Sequence, residues 1–100
     1  MPSIENVIEV MYIFESAPGA LILAKEYAGL TVSEDEEAAI FESNECDNDS
    51  KTESIVSNMS SEQLEELVKH LRLTNEEYKL SYGSDYNERV DDADIDYLLK

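Results

Sequence analysis

Tryptophan is missing from this sequence, and cysteine and histidine occur once each, as Cys46 and His70. With one thiol the chain can form no internal disulfide and no cysteine-based metal site of its own. Only three glycines occur and they are scattered, so there is no glycine-rich phosphate loop. Long apolar runs are missing too. The longest uncharged stretch, Ser16 to Ala24, falls far short of the roughly 20 residues a membrane span needs. Glu9 interrupts the early apolar residues and the first Lys or Arg is Lys25, so no secretory leader is expected. These scarcities place the expected home of the protein in a reducing cytoplasm, of a bacterium or of an infected host cell, with no membrane partner.

Positive charge is the scarcest property of all. Seven Lys and Arg stand against 24 Asp and Glu, a formal net charge of -17 at pH 7. Direct binding to nucleic acid or to an anionic membrane is therefore excluded on electrostatic grounds. A basic partner would be attracted and steered in. The chain is nevertheless 42% hydrophobic, ordinary globular usage that argues against disorder. Its 100 residues suit one domain and are too few for two independent cores.

The apolar spacing predicts a mostly α protein, a small helical bundle of about five or six short helices. Ile4, Val7, Ile8, Met11 and Phe14 form one face of a first helix, although the β-branched and aromatic residues of Val10 to Phe14 also suit a strand. Ser16-Ala17-Pro18-Gly19 breaks the pattern. A second helix is expected from about Ala20 to Ala28, with Gly29 closing it and with Ala20, Leu23, Ala24 and Tyr27 inward. Ser33 with Glu36 forms a capping-box pattern for a third helix, Glu34 to about Glu42, burying Ala39, Ile40 and Phe41. Ser43 to Ser50 reads as a loop, followed by a short helix around Ile55, Val56 and Met59. Ser60 or Ser61 caps the clearest helix, with Leu64, Leu67, Val68 and Leu71 inward and a Glu65–Lys69 pair outward. Thr74 with Glu77 offers another cap. Residues 78–90 read equally as helix ends or as a small β-hairpin turning at Gly83-Ser84-Asp85. A last helix from about Asp91 to Leu99 would bury Ile95, Leu98 and Leu99.

Catalytic and metal-binding patterns fail one by one. Asp47-Asn48-Asp49-Ser50-Lys51 opens like a calcium loop, but Lys51 occupies a ligating position, Thr52 stands where glycine is needed and Asn58 where the bidentate Glu belongs. Asp91 to Asp96 lacks the glycine and the spacing. His70, one turn after Glu66 at the edge of an apolar stripe, reads as a boundary histidine paired with a carboxylate. Cys46 sits among acids, a poor setting for a catalytic nucleophile. A helix-turn-helix over Ala20 to Ala39 would present Glu34-Asp35-Glu36-Glu37 to DNA phosphates, which forbids DNA reading. No enzymatic activity, metal or cofactor is expected.

What remains is where the charge sits. Residues 33–53 hold nine acids against Lys51, a net of -8; residues 85–96 hold six against Arg89, a net of -5; residues 60–80 hold five against three cations, a net of -2. The two acidic segments, with tyrosines beside the second, nominate Glu34, Asp35, Glu36, Glu37, Asp47, Asp49, Tyr82, Asp85, Tyr86, Asp91, Asp92, Asp94 and Asp96 as partner-binding residues. Duplex DNA carries about one negative charge per ~1.7 Å of axis, and carboxylates on successive helical turns approach part of that density. The expectation is a small acidic inhibitor that mimics nucleic acid and occupies the basic surface of a nucleic-acid-handling protein or nuclease. Phage proteins acting against CRISPR or restriction systems offer the analogy of charge and size. The alternatives are an immunity protein against a nuclease toxin, and an acidic adaptor that homodimerises through an apolar helix face with no mimicry.

Overall fold

Serine and asparagine side chains start most of the helices. Ser3 accepts from the Asn6 N–H, Ser16 from Gly19, Ser33 from Glu36, Asn44 from Asp47 and Ser60 from Gln63, at 2.9 to 3.4 Å. Each satisfies a first-turn donor that has no partner inside its helix. In the computed structural model, which describes residues 1–100, these caps open α1 (Ile4–Phe14), α2 (Ala17–Tyr27), α3 (Glu34–Glu42), α4 (Glu45–Ser57) and α5 (Ser61–Tyr82). A 3-10 turn (Gly83–Asp85) and two single-turn helices, α6 (Tyr86–Arg89) and α7 (Ile95–Leu98), complete a bundle without strands.

The mostly helical bundle is as the apolar spacing predicts, with informative differences. Pro18 falls within the first turn of α2, where a missing N–H costs nothing, so the segment read as a break begins the helix instead. Gly29 ends α2 at φ 81, with Gly29 N–H on Glu26 O and Leu30 N–H on Lys25 O, the paired bonds of a Schellman turn. At Ser33 only half of the expected box forms, because the Glu36 carboxylate turns to Lys25 at 3.8 Å. The reciprocal capping box is at Ser60 and Gln63.

Three expectations about α3 to α5 are corrected. Residues 45–50, read as loop, are the first half of α4. The inward stripe of that helix is Asn48, Thr52 and Val56, spaced i, i+4, i+8 but two-thirds polar, so it carries no apolar periodicity. Its burial is supported by hydrogen bonds: Asn48 Nδ2 donates to Ile40 O at 3.0 Å and Thr52 Oγ1 to Asn48 O at 2.9 Å. Of the three α3 residues expected inside, only Ile40 is buried; Ala39 is exposed and Phe41 is 57% exposed. Residues 78–90 form no hairpin. α5 runs unbroken through Thr74, which does not cap a helix but donates to His70 O.

α1 is the hub. It packs against α2, α4, α5 and α7, while α2 and α4 make the most extensive pairing in the molecule. Val7, Val10 and Met11 of α1 meet Ala20, Leu23 and Ala24 of α2, Leu67, Val68 and Leu71 of α5, and Val90, Ile95 and Leu99 near the C-terminal end in one core. Arg72 donates to Leu99 O, tying the end of the chain to α5.

The connection from α6 to α7 carries backbone strain. Asp91 and Asp92 stand at φ 54 and 59, a left-handed conformation that costs a non-glycine residue about 1–2 kcal/mol. Asp92 N–H reaches Asn87 O at 2.7 Å and Asp91 N–H reaches Glu88 O at 3.2 Å, the same Schellman pattern that Gly29 makes without strain. Asp91→Gly is therefore expected to stabilise the fold by about 1 kcal/mol, read as a higher midpoint in urea; a lower midpoint would contradict the strain.

Candidate partner-binding surface

Six of the seven cations are already engaged. Lys25 pairs with Glu36, Lys69 with Glu66, and Lys79 with both Glu76 and Asp96. The Glu65–Lys69 pair does not form, since Lys69 turns to Glu66 at 3.3 Å. Arg72 is held by the Leu99 carbonyl. Arg89 lies 4.7 Å from the centre of the Tyr82 ring and Lys100 lies 5.8 Å from that of Tyr97. Lys51 alone makes no ion pair or ring contact. Only Glu36, Glu66, Glu76 and Asp96 among the 24 acids thus have a cationic partner.

The two nominated segments sit on different parts of the bundle. Glu34, Asp35, Glu36 and Glu37 occupy the exposed first turn of α3, where they complement the helix dipole. Asp47 is exposed and Asp49 half-buried on α4. Both helices pack on α2, whereas the second segment packs through α6 on α5 and through α7 on α1.

Several residues of the second segment hold the fold together. Asn75, buried in α5, receives the Tyr86 hydroxyl proton on Oδ1 and donates through Nδ2 to Asp96 at 3.1 Å. Lys79 closes the network at 2.9 Å from Asp96. The hydrogen bond it donates to Asp96, then that to Glu76, holds the Lys79 ammonium above its ordinary value, at about 12. Asp94 caps α7 by accepting from Tyr97 N–H at 3.1 Å. Tyr82 lies between Tyr78, at 5.2 Å, and Arg89. Asp85, Asp91 and Asp92 are exposed and free of ion pairs. His70 contacts the Tyr27 ring at 5.4 Å and forms no carboxylate pair.

A third acidic region escaped the sequence reading. Glu5 and Glu9 on α1 face Glu53 on α4 across an open groove of about 630 Å³, with Ile4, Ile8 and Tyr12 on its walls. The acids of α1 read only as the polar side of an amphipathic helix; the signal was their one-turn spacing, which repeats at Asp49 and Glu53. No three acids, histidines or cysteines anywhere come close enough to share a metal ion. No helix is long and apolar enough to cross a membrane.

No protein family, curated protein or solved structure matches this chain.

The Tyr12 hydroxyl and Asp49 Oδ1 are both buried and lie close to one another and to Thr52. Burial first, and the Asp49 charge second, push the Tyr12 phenol from its ordinary 10.0 up to about 12. The folded chain holds this proton more tightly than the unfolded chain does. Its contribution to stability is thus complete below pH 10 and is lost as pH rises through about 12. Tyr12→Phe is expected to flatten that alkaline decline in unfolding free energy. Tyr27, Tyr78 and Tyr86, each raised mainly by burial, contribute to the remainder together with Lys79, raised by its hydrogen bonds. An identical decline in the variant would contradict this assignment.

Proposed function

We propose that the protein acts by binding the basic surface of a nucleic-acid-handling protein, as a small acidic inhibitor that competes with nucleic acid. One observation supports this above the others: six of the seven cations are engaged within the chain, and most of the carboxylates face solvent without a partner. A surface of that kind offers a cationic cleft many anionic contacts and few repulsive ones. Charge complementarity of this sort raises association rates and rejects acidic competitors. The exposed first turn of α3 and the free acids Asp85, Asp91 and Asp92 supply steering charge. Asp94, Asp96 and Tyr86 contribute by fixing the backbone that presents them.

A second reading draws on α5, where Leu73 and Leu80 are 65% and 87% exposed and lie two turns apart on one face. That stripe favours an adaptor or dimerisation module, with acidity serving dispersal in water.

Salt separates the readings. Proteins retained from a host lysate by the immobilised chain should be basic and nucleic-acid-binding, should elute on raising the salt, and should be displaced by added duplex DNA. Retained proteins that are neutral or acidic, or that resist both salt and DNA, would sink the inhibitor reading and leave the apolar face of α5.

A further inference from the structure

Residues 93–100 are held in place by what they dock on. Ile95 and Leu99 are buried in the shared core, against α1. Asp96 reaches Asn75 and Lys79 of α5, and Arg72 of the same helix donates to Leu99 O. α7 is a single turn, too short to persist undocked. As the end of the chain, this arm can leave its seat without breaking any other connection. Its tether is the strained one. Asp91 and Asp92 both hold positive φ to turn the chain back, in a conformation that suits glycine and taxes any other residue. The N–H groups of Asp91 and Asp92 bond to Glu88 and Asn87. All four residues are exposed, so water replaces those bonds when the turn opens. Only the Ala93 N–H, on Val90 O, bonds to a buried residue.

We infer that the arm, residues 93–100, exchanges between two copies of the chain, each arm docking in the other copy's seat with Asp91 and Asp92 opened into an extended hinge. The seat is complementary to this occupant, because it already holds the same segment of its own chain. Exchange keeps every contact of the arm and releases the strain of the turn; short hinges under strain favour such swapping. The four steps from Val90 to Asp94 reach at most about 13–14 Å, so the two copies meet hinge to hinge. There Asp85, Glu88, Asp91, Asp92 and Asp94, all exposed, stand with Arg89 as their one cation and face their own duplicates. Repulsion between these acids keeps the chains apart at low salt, and screening admits the exchange. The inference is independent of the proposed binding of a basic protein.

The test is analytical ultracentrifugation of concentrated protein, first equilibrated just below its thermal midpoint so that arms can undock. Dimer should form with an association constant at least about tenfold higher in about 1 M sodium chloride than in about 0.01 M. In dimers assembled from differently labelled chains, NMR should show methyl contacts between Ile95 or Leu99 of one chain and α1 of the other. Asp91→Gly/Asp92→Gly and Asp91→Val/Asp92→Val remove the same charge and differ in how well they accept positive φ. The glycine pair should dimerise at least about tenfold more weakly than the valine pair. If the valine pair does not fold, Asp91→Asn/Asp92→Asn takes its place and should still dimerise more strongly than the glycine pair. Leu73→Ser/Leu80→Ser should leave the dimer intact. Loss of the dimer in that variant, or methyl contacts confined to one chain, would overturn the exchange and assign the dimer to the face of α5. Equal dimerisation by the charge-matched pairs would overturn the strained hinge as its cause. A wild type that stays monomeric at high salt would overturn the inference outright.

Discussion

Carboxylates without counter-charges are the constraint around which this molecule is built. Seven cations cannot neutralise 24 acids, and six of the seven already have a partner within the chain: a carboxylate, the Leu99 carbonyl or a tyrosine ring. The remaining acids must lie outside and apart. Helix first turns accommodate some of them at an energetic gain, as with the four acids that open α3. The rest repel one another, and the apolar core at the meeting of α1, α2, α5 and α7 has to offset that repulsion. A single core of 13 buried residues carries the task, helped by side-chain caps on six of the seven α-helices.

Polar residues inside the bundle do a different job. Asn48 gives α4 a buried amide whose Nδ2 is paired only when it lies against the end of α3, while Thr52 bonds back to a carbonyl of its own helix. Asn75 performs the same service for the C-terminal segment, since Tyr86 and Asp96 meet on its amide. A buried amide left unpaired is costly, so each of these asparagines selects one docking geometry. α6 and α7, at four residues each, are too short to persist alone and depend on that selection.

These polar seams also mark where the sequence ceases to be legible. α1, α2 and α5 announce themselves through apolar residues at helical spacing, and most of their inward residues were readable in advance, though Val10, Leu21 and Asn75 were not. α4 was half hidden because its inward positions 48 and 52 are Asn and Thr, residues that a periodicity argument assigns to solvent. The run of tyrosines around Gly83 suited a hairpin as well as a helix end; what decides the matter is Asn75, a distant residue that binds Tyr86. The acidity of the surface was plain from composition alone. That Glu5 and Glu9 would meet Glu53 was not, because their convergence depends on the pairing of α1 with α4, whose first half read as loop. That Asp94 would cap α7 and Asp96 would pair with Asn75 and Lys79 was not readable either, because charge alone does not distinguish a helix cap or an internal ion pair from a free carboxylate.

Most direct is the thermal midpoint at neutral pH as sodium chloride rises from about 0.01 M, where charges are felt over about 30 Å, to about 1 M, where they are felt over about 3 Å. If unpaired carboxylates strain the folded surface, screening relieves them and the midpoint climbs steeply across the low-salt range. The few exposed ion pairs that screening also weakens are each worth only about 0–1 kcal/mol and cannot reverse the trend. A midpoint that stays flat, or that falls as salt is added, would contradict the account.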